Sequence, residues 1–298
     1  MSQPPTTPRT GSRPRLVTYR AIVTRVRHVG PQFVRVTLGG PEMRNYETGE
    51  TAARVKVFVP TDPDADPVAP TLPPSSFEFP AGADAPVART YTVRAHRPES
   101  GEIDIDFVVH PNGPGGRWAA GARVGDVITI SHGVGQSLPG GIRDLLLVGD
   151  PSSLPAIMTI LHSADPSIAR RVLLLADGPS DVLPLEPAAR DCGRWLYPNG
   201  ASNAGTALAD AVRGELSARH PDYVWVAGEA TTLIQVRRVL RDDGAYTKAT
   251  SKIAGYWRRS STADEFERDT YARMRALVDG GIEPTEQDLE ELSVPGSG

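Results

Sequence analysis

The sequence predicts an antiparallel β-barrel followed by an α/β unit with a parallel sheet. Three observations predict it. Six short strand patterns separated by turn residues fill the chain up to about residue 141, with hardly any helical periodicity. From about residue 143 the strands are apolar throughout and alternate with helices, as in a parallel sheet covered on both faces. The length, 298 residues, favours two domains over one or three.

The elements follow in order. Residues 1–15 carry Pro4, Pro5, Pro8 and Pro14 and read as a disordered leader. They lack the apolar stretch of a secretory signal. Residues 21–29 and 33–38 alternate apolar and polar side chains, as half-buried strands do, and residues 54–59 repeat the pattern. Residues 60–88, rich in Pro, Asp and Ala, form a long loop. Strands follow at 89–95 and 103–109, then a short helix at 117–120 opened by Gly113-Pro114-Gly115-Gly116, then a sixth strand at 127–130. In the second half, buried strands at 144–149, 171–176 and 223–228 alternate with helices at 154–163, 205–219 and 233–241. A charged amphipathic helix over 263–277 and an acidic tail at 286–291 end the chain. The expected division is leader 1–15, barrel domain 16–141, α/β domain 142–260, and C-terminal helix and tail 261–298.

Composition narrows the function. An apolar share of 39% and a charged share of 23% suit a globular protein. Cys192 is the single cysteine, so no intrachain disulfide, CxxC zinc site or Cys-ligated iron–sulfur cluster can form. No run approaches the ~18 consecutive apolar residues of a membrane-spanning helix. A cytoplasmic location is the default. Residues 1–60 hold ten Lys+Arg against three Asp+Glu, and residues 261–298 hold three Arg against ten acids. The pI of about 5.9 is wrong for a basic nucleic-acid binder, but a basic first segment suits an anionic ligand. Only three of the 32 basic residues are lysines: Lys56, Lys248 and Lys252. The six histidines show no paired ligand spacing, so no protein metal site is expected.

Four motifs carry chemistry. Arg89-Thr90-Tyr91-Thr92-Val93-Arg94 lies on a strand, with Arg89, Tyr91 and Val93 on one side and Thr90, Thr92 and Arg94 on the other. An aromatic ring beside a hydroxyl and two guanidiniums suits a flavin nucleotide: a ring to stack, a hydroxyl to bond, cations for phosphate. Gly113-Pro114-Gly115-Gly116-Arg117-Trp118 follows a strand and starts a helix, leaving backbone N–H groups for a pyrophosphate. Residues 148–156, with Gly149 and Asp150, occupy the first strand-to-helix turn of the α/β unit, where dinucleotides bind, but without the G-x-G-x-x-G fingerprint. Ala227-Gly228-Glu229 ends the third apolar strand at the same edge. There Glu229 reads equally as a cofactor contact or as a helix N-cap.

In this order and on these elements, the motifs resemble the siderophore-interacting protein family. These are flavin-dependent ferric-siderophore reductases, related in architecture to ferredoxin–NADP reductases. The resemblance runs from about residue 19 to about residue 277. Its strongest pieces are residues 89–94, 106–110 with 113–119, 149–156, 227–229, and Gly255-Tyr256-Trp257-Arg258. It implies an FAD-binding barrel and a nicotinamide-binding α/β domain. It further implies that Arg89 pairs with the FAD phosphates, Tyr91 stacks on the isoalloxazine, Thr92 bonds near its N5, and Arg94 bonds flavin or phosphate. His110 would stand beside the cofactor, and the backbone around Gly115, Gly116 and Trp118 would hold the pyrophosphate. Tyr91 and Thr92 are thereby the catalytic candidates; Asp150, Gly228 and Glu229 are candidate contacts of the nucleotide.

The chemistry implied is electron transfer from NADH or NADPH, or from a reduced ferredoxin, through FAD to a ferric siderophore, releasing Fe(II). Anionic chelates need cations. Lys56, where the family also tends to have Lys, is the first candidate; Lys252 and Arg258 follow. The chain departs from the family habit at Gly116 (often Ser), Pro111 (Gly), Pro151 and Ser153 (Glu and Ala), in residues 133–135, and at Ser260 (Gly). Two other readings stand beside the reductase: a flavin reductase with a different electron acceptor, and a binding protein that carries a ferric siderophore without turning it over. Asp177, after the second apolar strand, accepts from a ribose 2′-OH in such folds, which points to NADH.

Overall fold

The computed structural model describes residues 17–48, 51–62, 65–70, 79–80, 84–110, 113–135, 137–178, 192–198, 203–244 and 246–259, with isolated positions elsewhere. The leader, Pro111, Ser260, the acidic tail and most of the C-terminal helix lie outside these residues.

The first half is a closed barrel of six antiparallel strands: β1 (Thr18–Gly30), β2 (Phe33–Gly39), β3 (Arg54–Val59), β4 (Val87–Arg97), β5 (Glu102–Val108) and β6 (Val127–Ser131). The strand order is β1-β2-β5-β4-β3-β6, and β1 closes the ring by pairing with both β2 and β6. Alternation fills the interior with Val23, Val36, Val55, Val57, Val93, Ile105, Phe107 and Ile130, each no more than 4% exposed. Helix α1 (Pro114–Gly121) covers one side of this core, touching β2, β3 and β5.

The second half is a parallel five-stranded sheet. Its strands are β7 (Asp144–Gly149), β8 (Ala169–Leu175), β9 (Gly193–Leu196), β10 (Tyr223–Glu229) and β11 (Ser251–Trp257), in the order β11-β10-β7-β8-β9. Helices α2 (Leu154–Ser163), α3 (Ala204–Ala218) and α4 (Leu233–Asp243) cover it. The apolar strand sequences follow from burial on both faces: β7 and β10 are buried at every residue. Two strands lie outside the expected three. β9 is only four residues long. β11 is an edge strand with only Ile253 and Ala254 fully buried. Residues 251–257 are therefore part of the sheet, not a segment that follows it.

The halves share packing. Phe33, at the start of β2, is 1% exposed and belongs to the same apolar cluster as Leu145, Leu147 and the inner face of α2. From the other side, Thr159 Oγ1 on α2 accepts a hydrogen bond from Ala52 N at 3.2 Å, and α2 lies against β4. No helix among the described residues is long and apolar enough to cross a membrane.

Candidate functional site

The candidate residues lie on two edges: β3 and β4 of the barrel, and the carboxyl ends of β7, β10 and β11, with α2 packed against β4. On β4, Tyr91 and Val93 turn into the barrel, so Arg89 shares their side and Thr90 and Thr92 face out. The Tyr91 ring packs on Phe107 with centroids 4.3 Å apart, and Phe107 packs on Trp118 at 5.6 Å. This aromatic ladder seats α1 against β4. Burial, only partly offset by the nearby Arg89 cation, pushes the Tyr91 hydroxyl up to about 12, so it stays protonated at neutral pH.

The glycines of α1 are required by close approach. A Cβ on Gly115 would lie 1.9 Å from Tyr91 Oη, and one on Gly116 would lie 2.6 Å from the Val108 carbonyl oxygen. Helix geometry leaves the N–H groups of Gly115 and Gly116 without intrahelical acceptors, and Gly113 supplies no side-chain cap. An anion-accepting helix start is thus held within reach of the Arg89 side of β4, which fits a flavin pyrophosphate. His110 is exposed and leans over Gly113, where a Cβ would meet its Nε2 at 2.4 Å. Burial of part of the ring and the Arg117 cation lower its affinity for a proton, so the imidazole is neutral at pH 7.

On the outer face, Lys56 stands opposite Thr90 and Arg54 opposite Thr92 in the β3–β4 register. Lys56 and Thr92 are therefore diagonal neighbours, about 7–8 Å apart. Thr92 is 5% exposed and lies where β4 meets α2. Arg94 occupies an irregularity in the β4–β5 pairing and is half-buried.

The strand ends hold a hydrogen-bond network. Asp150 and Glu229, expected as contacts of the nucleotide, both engage their carboxylates within the protein. Asp150 is 7% exposed. Its Oδ1 accepts from Ser152 N, Ser152 Oγ and Ser153 N; its Oδ2 accepts from Glu229 N at 2.8 Å and Trp257 Nε1 at 3.0 Å. Burial raises its proton affinity, and the hydrogen bonds from Ser152, Trp257 and Glu229 offset only part of that. Gly228 has φ +155, and a Cβ there would lie 2.7 Å from Asp150 Oδ2, so only glycine lets the two strand ends close up.

Glu229 Oε2 accepts from Thr231 Oγ1, Thr232 N and Thr232 Oγ1, the residues that lead into α4; Oε1 accepts from Arg259 N at 3.0 Å. Burial pushes the Glu229 carboxyl up, but these donors outweigh it and hold it below the ordinary range. Glu229 thus ties the residues leading into α4 to the segment that follows β11.

The expected chelate cations separate. Lys56 stays beside Thr92. Lys252 sits near the start of β11, opposite Trp225 and five residues before Trp257, about 16 Å back from the strand end. The Arg258 side chain is only 12% exposed and pairs with Asp269 at 3.0 Å, so its cation is turned inward. Its neighbour Arg259 is the exposed cation of this segment, at 53%. Arg259 is not among the cations the sequence singles out. Among the described residues no three His, Cys, Asp or Glu side chains cluster as a metal site would require.

Comparison with known proteins agrees with this architecture. Residues 22–136 match the family model for the siderophore-interacting FAD-binding domain, and residues 142–260 match the model for siderophore-interacting proteins. The chain is 29% identical over 273 residues to the ferric vibriobactin reductase ViuB of Vibrio cholerae, covering 88% of this chain and 95% of that one. The crystal structure of a siderophore utilization protein from T. fusca superposes with a TM-score of 0.70 at 28% identity, covering 83% of this chain and 95% of the other. Phthalate dioxygenase reductase shares the fold, with a TM-score of 0.61 at 15% identity over 83% of this chain and 70% of its own. Matched through both its barrel and its sheet, the chain belongs to the siderophore-interacting protein family.

Proposed function

We propose that the chain is an FAD-dependent ferric-siderophore reductase that takes electrons from NADH or NADPH and releases iron as Fe(II) in the cytoplasm. The observation that carries this reading is the seat of α1. Its glycine start lies against Tyr91, on the Arg89 side of a barrel whose family binds FAD. Bound FAD would convert a two-electron hydride donation into one-electron transfers to Fe(III), and the resulting Fe(II) is held far less tightly by its chelator.

The residues divide the remaining work. The N–H groups of Gly115 and Gly116, with Arg89, would hold the pyrophosphate. Tyr91, kept protonated, would line the flavin ring and donate from Oη. Thr92 and Arg94 would bond the flavin edge from the outer side of β4. Neutral His110 would flank the cofactor without adding charge. Lys56, diagonal to Thr92, would draw an anionic chelate to the flavin edge. Asp150, Gly228 and Glu229 would shape the nucleotide pocket indirectly, by fixing the strand ends.

The test is anaerobic. Flavin-loaded protein is mixed with NADH or NADPH while flavin absorbance is followed; a ferric siderophore and a ferrous trap are then added. Bleaching followed by re-oxidation with trapped Fe(II) is the expected result. A flavin that no nucleotide bleaches, but that reduces the chelate once chemically reduced, would move the donor to a ferredoxin. Protein that purifies without flavin would overturn the reductase reading in favour of a carrier. In the same assay Lys56→Glu should slow chelate reduction while flavin content holds. An unchanged rate would remove Lys56 from the chelate site.

A further inference from the structure

We infer that Arg259 reads the 2′-phosphate of NADPH and sets this chain's preference between the two pyridine nucleotides. The inference rests on the nucleotide reading of the α/β unit given above. Asp177 lies two residues beyond β8 and Arg259 two residues beyond β11. Between β8 and β11 in the sheet stand β7 and β10, whose carboxyl ends form the crevice where open α/β sheets take dinucleotides. The Arg259 guanidinium nonetheless reaches within 3.8 Å of Asp177 Oδ1, so this side chain spans the crevice.

Arg259 is fixed from below, not by Asp177. Its guanidinium carbon lies 5.3 Å from the centre of the Trp257 ring. Trp257 is in turn tied by Nε1 to buried Asp150, and Arg259 N is tied to Glu229 Oε1. The pair with Asp177 is long, and both side chains are well exposed, at 53% and 71%. Such a contact yields readily to a better anion. A phosphate dianion offers the planar guanidinium two charge-assisted hydrogen bonds at once.

An acid after the second strand of such a sheet accepts from a ribose 2′-OH and repels a 2′-phosphate. By itself Asp177 therefore points to NADH. A guanidinium stationed beside it, on a platform of its own, offsets that repulsion and offers the phosphate a donor fork. Arg258 does not compete for this role, because its guanidinium is turned inward to Asp269.

Two probes test the inference apart from turnover. Titration calorimetry on the flavin-loaded protein compares 2′,5′-ADP, which carries the 2′-phosphate, with 5′-AMP, which does not. Wild type should bind 2′,5′-ADP at least about tenfold more tightly, and Arg259→Ala should collapse that ratio to near one. Asp177→Asn should raise the ratio severalfold. In stopped-flow flavin reduction, the NADPH to NADH ratio of kcat/KM should fall by about tenfold or more in Arg259→Ala. Equal weakening of both probes by Arg259→Ala would overturn the inference, because the contact would then be to a part the two share. So would wild-type protein that NADH reduces and that shows no preference for 2′,5′-ADP. If neither probe binds and neither nucleotide bleaches the flavin, the nucleotide reading itself falls, and Arg259 with it.

Discussion

Replacing Asp150 by Asn tests whether this carboxylate is the hub that joins three strand ends. Two oxygens serve five donors, two of them backbone N–H groups of Ser152 and Ser153 and two the N–H groups of Glu229 and Trp257. Asn keeps the shape but offers one oxygen and one NH2. With the oxygen toward Trp257, the NH2 faces the Ser152 and Ser153 amides; flipped, it faces the Glu229 and Trp257 donors. Either way two N–H groups lose an acceptor and meet another donor. Each such bond to a charged group contributes about 1.5–3 kcal/mol, so the loss is about 3–6 kcal/mol before compensation. Asn also removes a charge that burial disfavours, as the raised proton affinity of Asp150 records. A net destabilisation of about 2–4 kcal/mol follows, which lowers Tm by about 5–15 °C in a chain of this size.

Thermal unfolding followed by circular dichroism measures the shift, and flavin absorbance should show FAD content unchanged, since the barrel is untouched. The pH dependence has a defined sign. The folded-state value of Asp150 lies above its ordinary 3.8, so its stabilisation is complete below that value and is lost as pH rises through the folded value. Wild type should therefore gain on Asp150→Asn as the pH falls from 7 toward 4, and the Tm gap should widen. Glu229 has the opposite sign: its stabilisation is present above 4.5 and is lost only as pH falls through its lowered value. It is common to both proteins and cancels in the difference. A Tm shift below about 2 °C, or a gap that narrows on acidification, would refute the reasoning.

Two further substitutions probe the barrel. Arg89→Ala should reduce the FAD retained on purification, read as the ratio of flavin to protein absorbance; full retention would remove Arg89 from the phosphate site. Phe33→Ala opens a cavity where the barrel enters the apolar cluster of the sheet. It should cost about 3–5 kcal/mol, measured as a fall in the urea midpoint.

Much of this arrangement was legible in the sequence because period and position survive folding. The two-residue period of β4 put Tyr91 and Val93 on one side and Thr90 on the other, and in the fold Val93 is buried while Thr90 is exposed. The Gly-Pro-Gly-Gly run correctly marked a helix start where a backbone must come close. What escaped was set by tertiary contacts. β11 carries Gly255 in its interior and buries few apolar residues, so no local pattern marked it as a strand. Arg258 and Arg259 are adjacent and chemically identical, yet one is tucked against Asp269 and the other stands over Trp257. The Glu229 carboxylate makes that choice by fixing Arg259 N, from 30 residues away in sequence. Asp150 and Glu229 were found at the ligand-bearing edge, but no spacing rule says whether a strand-end carboxylate faces a ligand or its own backbone.

Two of the departures from family habit, Ser153 and Gly116, share a structural logic. Ser153 is fully buried; its hydroxyl accepts from Asp150 N at 3.0 Å and donates to the Asp150 carbonyl at 2.9 Å. A Cβ on Gly149 would come 1.9 Å from that hydroxyl, so Gly149 and Ser153 are a matched pair that tightens the β7–α2 turn from within. Gly116 works in the same direction: a side chain there would meet the Val108 carbonyl, so its absence lets the N–H groups of α1 approach the end of β5. Both changes act on the packing beneath a helix start. A lost hydroxyl at position 116 removes one donor but keeps the helix start close to Tyr91. A gained hydroxyl at position 153 adds none to the surface, because both of its hydrogen bonds close on Asp150. The starts of α1 and α2 therefore keep their close packing with the residues at positions 116 and 153. On the proposed function, discrimination among ligands would then fall to side chains that project past them, foremost Lys56 on the barrel and Arg259 on the sheet.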